Sequence, residues 1–157
     1  MGEYAKTTSV STDRTIAETR KILFRYGADK FGYLEEEQRI CLTFSSQNKQ
    51  VRFDVPLPDR DSRDFTRTPT GRSRQNAAAQ TAWEQACQQR YRAALLIIKA
   101  KLEATESGIT TFEREFFANL MLPGGKTVFD ELNRPVSQAI SGSPNTLLQI
   151  TEVPDGQ

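Results

Sequence analysis

Apolar positions near the N-terminus recur every three or four residues, which is the spacing of one face of an α-helix. The residues on this face are Ile16, Thr19, Leu23 and Tyr26. Ser11 or Asp13 offers a side-chain cap before the first turn, and Gly27 offers the left-handed residue at which helices commonly end. The pattern predicts a first helix between these positions, preceded by a flexible arm at residues 1–10.

Three short strands are predicted next, because apolar residues now alternate with polar or small ones. The predicted strands are Lys30–Leu34, Arg39–Ser45 and Gln50–Val55. Only a short polar turn separates the last two strands, so they should form an antiparallel hairpin. Pro56 and Pro58 end the sheet, since proline cannot donate a hydrogen bond to a neighbouring strand.

A helical spacing returns in the second half of the chain and predicts three more helices. The longest runs from Ala77 to about Thr105 and is apolar on every side near residues 93–98, as expected of a core segment or an oligomer interface. A second helix should begin at the capping-box spacing Thr110-x-x-Glu113. A turn of proline and glycine follows, and a last helix is predicted over Thr127–Ile140.

The predicted order describes an α+β fold with an N-terminal helix, a small three-stranded antiparallel sheet, a long central helix and two shorter C-terminal helices. We expect one domain over residues 1–140 and a loose C-terminal tail over residues 141–157. Trp83 and Tyr91 on the long helix are expected to lie in the core.

Charged residues make up 26% of the 157 residues, which is typical of a globular domain, whereas the apolar share of 37% lies below the usual range. The chain shows no secretory leader and no apolar run long enough to cross a membrane. Two cysteines, Cys41 and Cys87, are too few for a disulfide framework. We therefore expect a cytoplasmic protein without a membrane partner.

The sequence contains no histidine. This excludes imidazole-based triads, histidine acid–base catalysis and most zinc sites. Gly124-Gly125-Lys126-Thr127 resembles the end of a phosphate-binding loop, but the first glycine of that motif is replaced by Leu120, so a plain turn is predicted. Asp59-x-Asp61 and the acidic residues near the later helices leave a magnesium-dependent nuclease as a minor alternative. No catalytic residue, metal ligand or cofactor is predicted.

The connection Asp59–Asn76 is the one stretch whose composition suggests recognition. It carries five arginines within a chain of net charge +1, and long connections in compact domains are usually functional. Candidate nucleic-acid contacts are Arg52, Arg60, Arg63, Phe65, Arg67, Arg72 and Arg74. The basic positions Arg90, Arg92, Lys99 and Lys101 would extend the patch along the long helix, and Phe31 and Tyr33 are further rings on which bases would stack. The simpler alternative is a solvated loop neutralised by its own Asp59, Asp61 and Asp64.

Several segments taken together resemble a family of small proteins encoded by bacteriophages, prophages and other bacterial mobile elements. The segments are Val51–Pro58, Ala82–Ala86, Arg92–Glu103, Ile109–Phe116 and Leu122–Val128. The likeness covers residues 4 to about 140, and the family has no established activity to transfer to particular residues. It implies a setting in which small proteins handle DNA, assemble particles or block host defences.

Two hypotheses follow from the sequence. The leading one is a non-catalytic accessory protein that binds DNA, single-stranded in particular, during replication or recombination of a mobile element. The alternative is a protein-binding module, either a structural homo-oligomer or an inhibitor of a host defence complex. The second hypothesis draws on the apolar segment at residues 93–98 and on a charge split of +4 over residues 58–104 against −4 over residues 105–157.

Overall fold

The hydroxyl of Ser11 accepts a hydrogen bond from the backbone N–H of Arg14 and begins the first helix, α1 (Thr12–Arg25). The computed structural model describes residues 11–142, and this cap lies at the start of that range. Gly27 follows the helix with a φ of 92°, so it takes the left-handed conformation predicted for the end of α1. The predicted N-terminal arm lies outside the described residues.

The three strands form one antiparallel sheet in the order β1-β2-β3. Their bounds are β1 (Lys30–Glu36), β2 (Arg39–Ser46) and β3 (Lys49–Pro56). Gln47 and Asn48 both have positive φ, which is the two-residue turn that matches the twist of a hairpin. The predicted hairpin is confirmed, and β3 ends at Pro56 as expected.

The second half of the chain is helical. It contains α2 (Arg63–Thr66), α3 (Asn76–Glu106), α4 (Phe112–Phe116), a 3-10 turn (Phe117–Asn119) and α5 (Val128–Gly142). The α+β prediction is therefore confirmed. Helix α5 continues two residues past the predicted end at Ile140, and residues beyond Gly142 lie outside the described part of the chain.

The predicted capping box before α4 is displaced by one residue. Thr111, and not Thr110, is the cap, and its hydroxyl accepts from the N–H of Arg114. Glu113 instead forms an ion pair with Lys49 of β3 at 2.8 Å, and this contact with Lys49 holds the pKa of Glu113 below its usual value. The carboxylate of Glu113 therefore contacts β3, which the local motif does not predict.

The core lies between one face of the sheet and helices α1, α3 and α4. Its largest fully buried side chains include Phe44, Phe116, Leu23, Ile40, Leu95 and Ile98. The ring of Phe44 packs edge-to-face against Phe116, with the ring centroids 5.5 Å apart. Most of the apolar segment predicted at residues 93–98 is covered within the chain itself, and Ile97 is its only exposed member, at 51%. Within residues 11–142, no helix has the length and apolar character required to cross a membrane.

Candidate nucleic-acid interface

The segment that follows the sheet, residues 59–76 and hereafter the arginine loop, begins with a turn closed by Asp59. The carboxylate of Asp59 accepts the N–H of Asp61 at 3.0 Å, and its carbonyl accepts the N–H of Ser62. Ser62 then caps the short helix α2 by accepting from the N–H of Asp64. These side chains are engaged in local turns, as short polar residues commonly are.

The distal part of the arginine loop is a small hydrogen-bonded hairpin. Arg67 and Ser73 face each other in an antiparallel bridge, and the N–H of Thr68 donates to the carbonyl of Arg72 at 2.8 Å. Gly71 has a φ of 83°, which a residue with a side chain would adopt only under strain. The loop is therefore held in one shape by its own backbone.

Trp83 on α3 fastens the beginning of the arginine loop to the body of the protein. Its indole N–H donates to the carbonyl of Pro58 at 2.9 Å, and the guanidinium of Arg60 lies over the indole ring, 5.4 Å from the centroid. Arg60 also donates to the side chain of Gln80. Trp83 is only half-buried, so the expectation of a core tryptophan is replaced by one that docks the loop.

Three arginines of the loop have no such engagement. Arg63 and Arg72 are exposed and Arg74 is half-buried, and none of them makes a side-chain hydrogen bond or ion pair within residues 11–142. A fourth, Arg67, donates to the carbonyl of Gly71 at 3.2 Å and so supports the hairpin. The loop therefore presents charged donors without a protein acceptor.

The alternative of a self-neutralised loop predicts ion pairs with its three aspartates. In the described part of the chain, no salt bridge joins Asp59, Asp61 or Asp64 to an arginine. The aspartates cluster at the start of the loop, in its turn and in α2, whereas Arg72 and Arg74 lie in and after the hairpin. Arg63 lies among these aspartates without an ion pair to them, whereas Arg72 and Arg74 are separated from them along the loop.

Arg52, which the sequence suggested as an exposed contact on the sheet, has a different role. Its guanidinium pairs with Asp54 and with Asp130 of α5, each at 2.9 Å, and donates to the carbonyl of Gly125 at 2.6 Å. The side chain is only 20% exposed. Arg52 therefore joins β3 to the base of α5 and has no free face for a phosphate.

The basic residues of α3 do not extend the arginine loop into a continuous track. Arg92 pairs with Glu18 of α1 at 2.7 Å, and the ammonium of Lys101 donates to the carbonyl of Glu115 at 2.6 Å. Lys99 is exposed at the other end of the helix from the loop. The suggested extension therefore consists mainly of cations that hold helices together.

Aromatic rings suited to stacking are also scarce on the loop. Phe65 lies in α2, which packs on α3, and is half-buried. Phe31 packs against the core, and Tyr33, on the edge strand β1, is 50% exposed. The loop offers positive charge without an open aromatic platform beside it.

An acidic cavity of about 460 Å³ lies on the side of Trp83 where the loop begins. Its lining includes Glu35, Glu36, Glu37, Asp59 and Asp61. A negatively charged ligand would be repelled there, so the open approach to the arginines is from the hairpin. Within residues 11–142, no three carboxylate or cysteine side chains are grouped so that they could hold a metal ion.

The turn at Gly124-Gly125-Lys126-Thr127 follows a 3-10 turn and two bridged residues, Leu120 and Met121, and it leads into α5. Both glycines have positive φ, and the N–H of Leu122 donates to the carbonyl of Lys126 at 2.8 Å. The prediction of a plain turn is confirmed. Comparison with protein-family models, with curated proteins and with solved structures gives no significant match, so function must be inferred from the geometry of this chain.

Proposed function

We propose that the protein is a non-catalytic accessory protein of a mobile element that binds nucleic acid through the phosphate backbone, in the cytoplasm of the host. The observation that supports the proposal is that Arg63, Arg72 and Arg74, all on an internally hydrogen-bonded loop, have no side-chain acceptor among residues 11–142. Guanidinium groups form charge-assisted, bidentate hydrogen bonds with phosphate oxygens. A loop already fixed by its backbone would lose little conformational entropy on binding.

The geometry favours backbone contact over recognition of bases. Binding of single strands usually adds aromatic stacking to a basic groove, and the half-buried Phe65 gives no open ring beside the arginines. We therefore expect single-stranded and double-stranded DNA to bind with similar affinity and little sequence preference. Three or four phosphate contacts correspond to a slope of log K against log salt of about −2 to −4.

Fluorescence anisotropy with labelled single-stranded and duplex oligonucleotides, titrated from low to physiological salt, tests this function. The variant Arg63→Ala/Arg72→Ala/Arg74→Ala should weaken binding at least tenfold and flatten the salt slope by about 2 to 3. Arg67 is left intact because it supports the hairpin.

The matched control is Arg14→Ala/Lys30→Ala/Arg114→Ala. These three cations are exposed, lie outside the arginine loop and remove the same total charge. If wild-type protein binds neither oligonucleotide at low salt, or if both triple variants weaken binding equally, the arginine loop is not a nucleic-acid site.

A further inference from the structure

Helix α5 carries an apolar face that nothing in the described chain covers. Val128 at its start is buried, but every residue from Phe129 to Gly142 is exposed. The large apolar side chains form one stripe along the helix: Phe129 (56% exposed), Leu132 (41%), Val136 (51%) and Ile140 (71%). A helix of this pattern normally lays its stripe on a core.

Among residues 11–142, the hydrogen bonds that fasten α5 to the rest of the protein lie at its base. The N–H of Thr127 donates to the carboxylate of Asp130 at 2.9 Å, and the N–H of Asp130 donates to the hydroxyl of Thr127 at 3.2 Å. Arg52 bonds to both Asp130 and the carbonyl of Gly125. The base of the helix is therefore anchored to β3, while the described residues leave its stripe uncovered.

Local propensity gives α5 little support of its own. It contains Pro135 in its interior, ends in glycine and includes several β-branched and short polar residues. A helix of about this length is marginal in water even when its sequence is favourable, and packing of the apolar face supplies most helical stability in proteins. We therefore expect another surface to pack on the exposed stripe and stabilise α5.

We propose that the stripe of α5 packs against α5 of a second copy of this chain, in an antiparallel two-fold pair. The spacing of the stripe, three residues and then four and four, is nearly the same in either direction. An antiparallel pair places Phe129 opposite Ile140 of the second copy and Leu132 opposite Val136. The alignment of the two helices that brings the first pair together differs by only one residue from the alignment that brings the second pair together. A self-complementary face of this kind is what a two-fold interface requires.

The charges of α5 are compatible with pairing between copies. With residues placed at about 100° intervals, Asp130, Glu131 and Arg134 are centred on the side opposite the stripe. The positions that flank the stripe, Asn133 and Pro135, are uncharged. Two copies would therefore meet without like charges in contact. Membrane-surface helices carry a polar face rich in lysine and arginine, which α5 lacks.

The surface of α5 alone is too small for a specific interface between two copies. A 15-residue helix is about 22 Å long and about 10 Å across, so the half of its cylindrical surface that faces a partner measures roughly 350 Å². Two copies would bury about 700 Å² through the helices alone, which is below the 1,000 Å² or so of a specific interface.

A groove at the base of α5 supplies the remaining contact. It has a volume of about 740 Å³, and its lining includes the exposed Phe117 and Leu122 together with Val128. Val128 lies one turn before Leu132, at the edge of the stripe. In an antiparallel pair, the C-terminal end of one α5 reaches the base of the other and seats Ile140 against this groove.

Sedimentation equilibrium of the full chain, over a wide range of concentrations, tests the pairing. Wild type should form a dimer, and Leu132→Glu/Val136→Glu should raise the dissociation constant of that dimer at least a hundredfold. The control Gln138→Glu/Ser141→Glu adds the same charge to the opposite face of α5 and should leave the dimer intact. Unchanged thermal melting of the core at low concentration distinguishes loss of pairing from loss of folding.

Cross-linking tests the register. In a Cys41→Ala background, a mixture of Leu132→Cys and Val136→Cys chains should form a disulfide-linked pair of the two variants far faster than Gln138→Cys chains link to themselves. Cys87 is buried, and burial raises its pKa to about 11, so it will not compete. A monomeric wild type, a dimer that survives the stripe variant, or equal loss in the control would each overturn the pairing.

Discussion

Helices α1 and α5 are built on the same plan but end in opposite environments. Each is an amphipathic helix of similar length, with 14 residues in α1 and 15 in α5, and each has a side-chain cap at its N-terminus. The face of α1 is buried against α3 and the sheet, whereas the face of α5 is exposed beyond Val128. Hydrophobic spacing therefore specifies that a helix has an apolar side, but does not specify which molecule covers it.

The largest expected effect is a difference in folding stability between substitutions on the face of α1 and on the face of α5. Leu23 in α1 is 1% exposed, so Leu23→Ala should lower the free energy of unfolding by about 2–5 kcal/mol, because it leaves a cavity in the core. Leu132→Ala in α5 removes the same atoms from an exposed position and should change the free energy of unfolding by less than about 0.5 kcal/mol. Urea denaturation followed by circular dichroism, with the protein dilute enough to be monomeric, measures both.

Equal losses in these two variants would mean that α5 packs on the body of the same chain. The comparison would then fail, and so would the interpretation of the stripe as a surface for a second copy. At high protein concentration we expect Leu132→Ala to lower the apparent stability further, since dimer formation stabilises the folded state by mass action.

Most elements of the fold could be predicted because they are encoded locally, whereas α2, inside the predicted connection Asp59–Asn76, was not predicted. The alternation of Leu42 and Phe44 with polar neighbours specifies β2, and the positions of Ser11 and Gly27 specify the two ends of α1. The capping box at Glu113 was misplaced by one residue, and the ion pair of that carboxylate with Lys49, distant in sequence, was not predicted. Local patterns contain no information about such a partner.

The candidate site was predicted only in part for the same reason. The arginine loop was recognised from its composition, but the sequence does not show that Arg60 lies on Trp83 or that Arg52 is held by Asp130. The engagement of Arg60 and Arg52 depends on contacts between residues 20 or more positions apart. The open face of α5 was equally invisible, because its pattern is that of an ordinary core-packed helix.

The next effect concerns the attachment of α5. Arg52→Ala removes the charged donor shared by Asp130 and the carbonyl of Gly125, which should cost about 1–3 kcal/mol locally. Hydrogen exchange should accelerate in the first turns of α5 and remain unchanged in α1. Arg39→Ala removes a cation that pairs with Glu36 at an exposed edge, and should cost less than about 1 kcal/mol. Accelerated exchange in α1 as well would show that the two helices are not held independently.

The smallest effect is a pH dependence confined to the base of α5. The backbone N–H of Thr127, then its hydroxyl and the charge of Arg52, hold the pKa of Asp130 below the usual 3.8. Because the folded value is the lower one, ionised Asp130 stabilises the base at pH above about 3.8, and this stabilisation is lost as the pH falls through the folded pKa. The amide resonance of Thr127 should therefore titrate with a midpoint below 3.8, and Arg52→Ala should move the midpoint upward. No such titration is expected at the cap of α1, where the acceptor is the uncharged hydroxyl of Ser11. A wild-type midpoint at or above 3.8 would mean that the Thr127–Asp130 cap does not stabilise the base of α5 in solution.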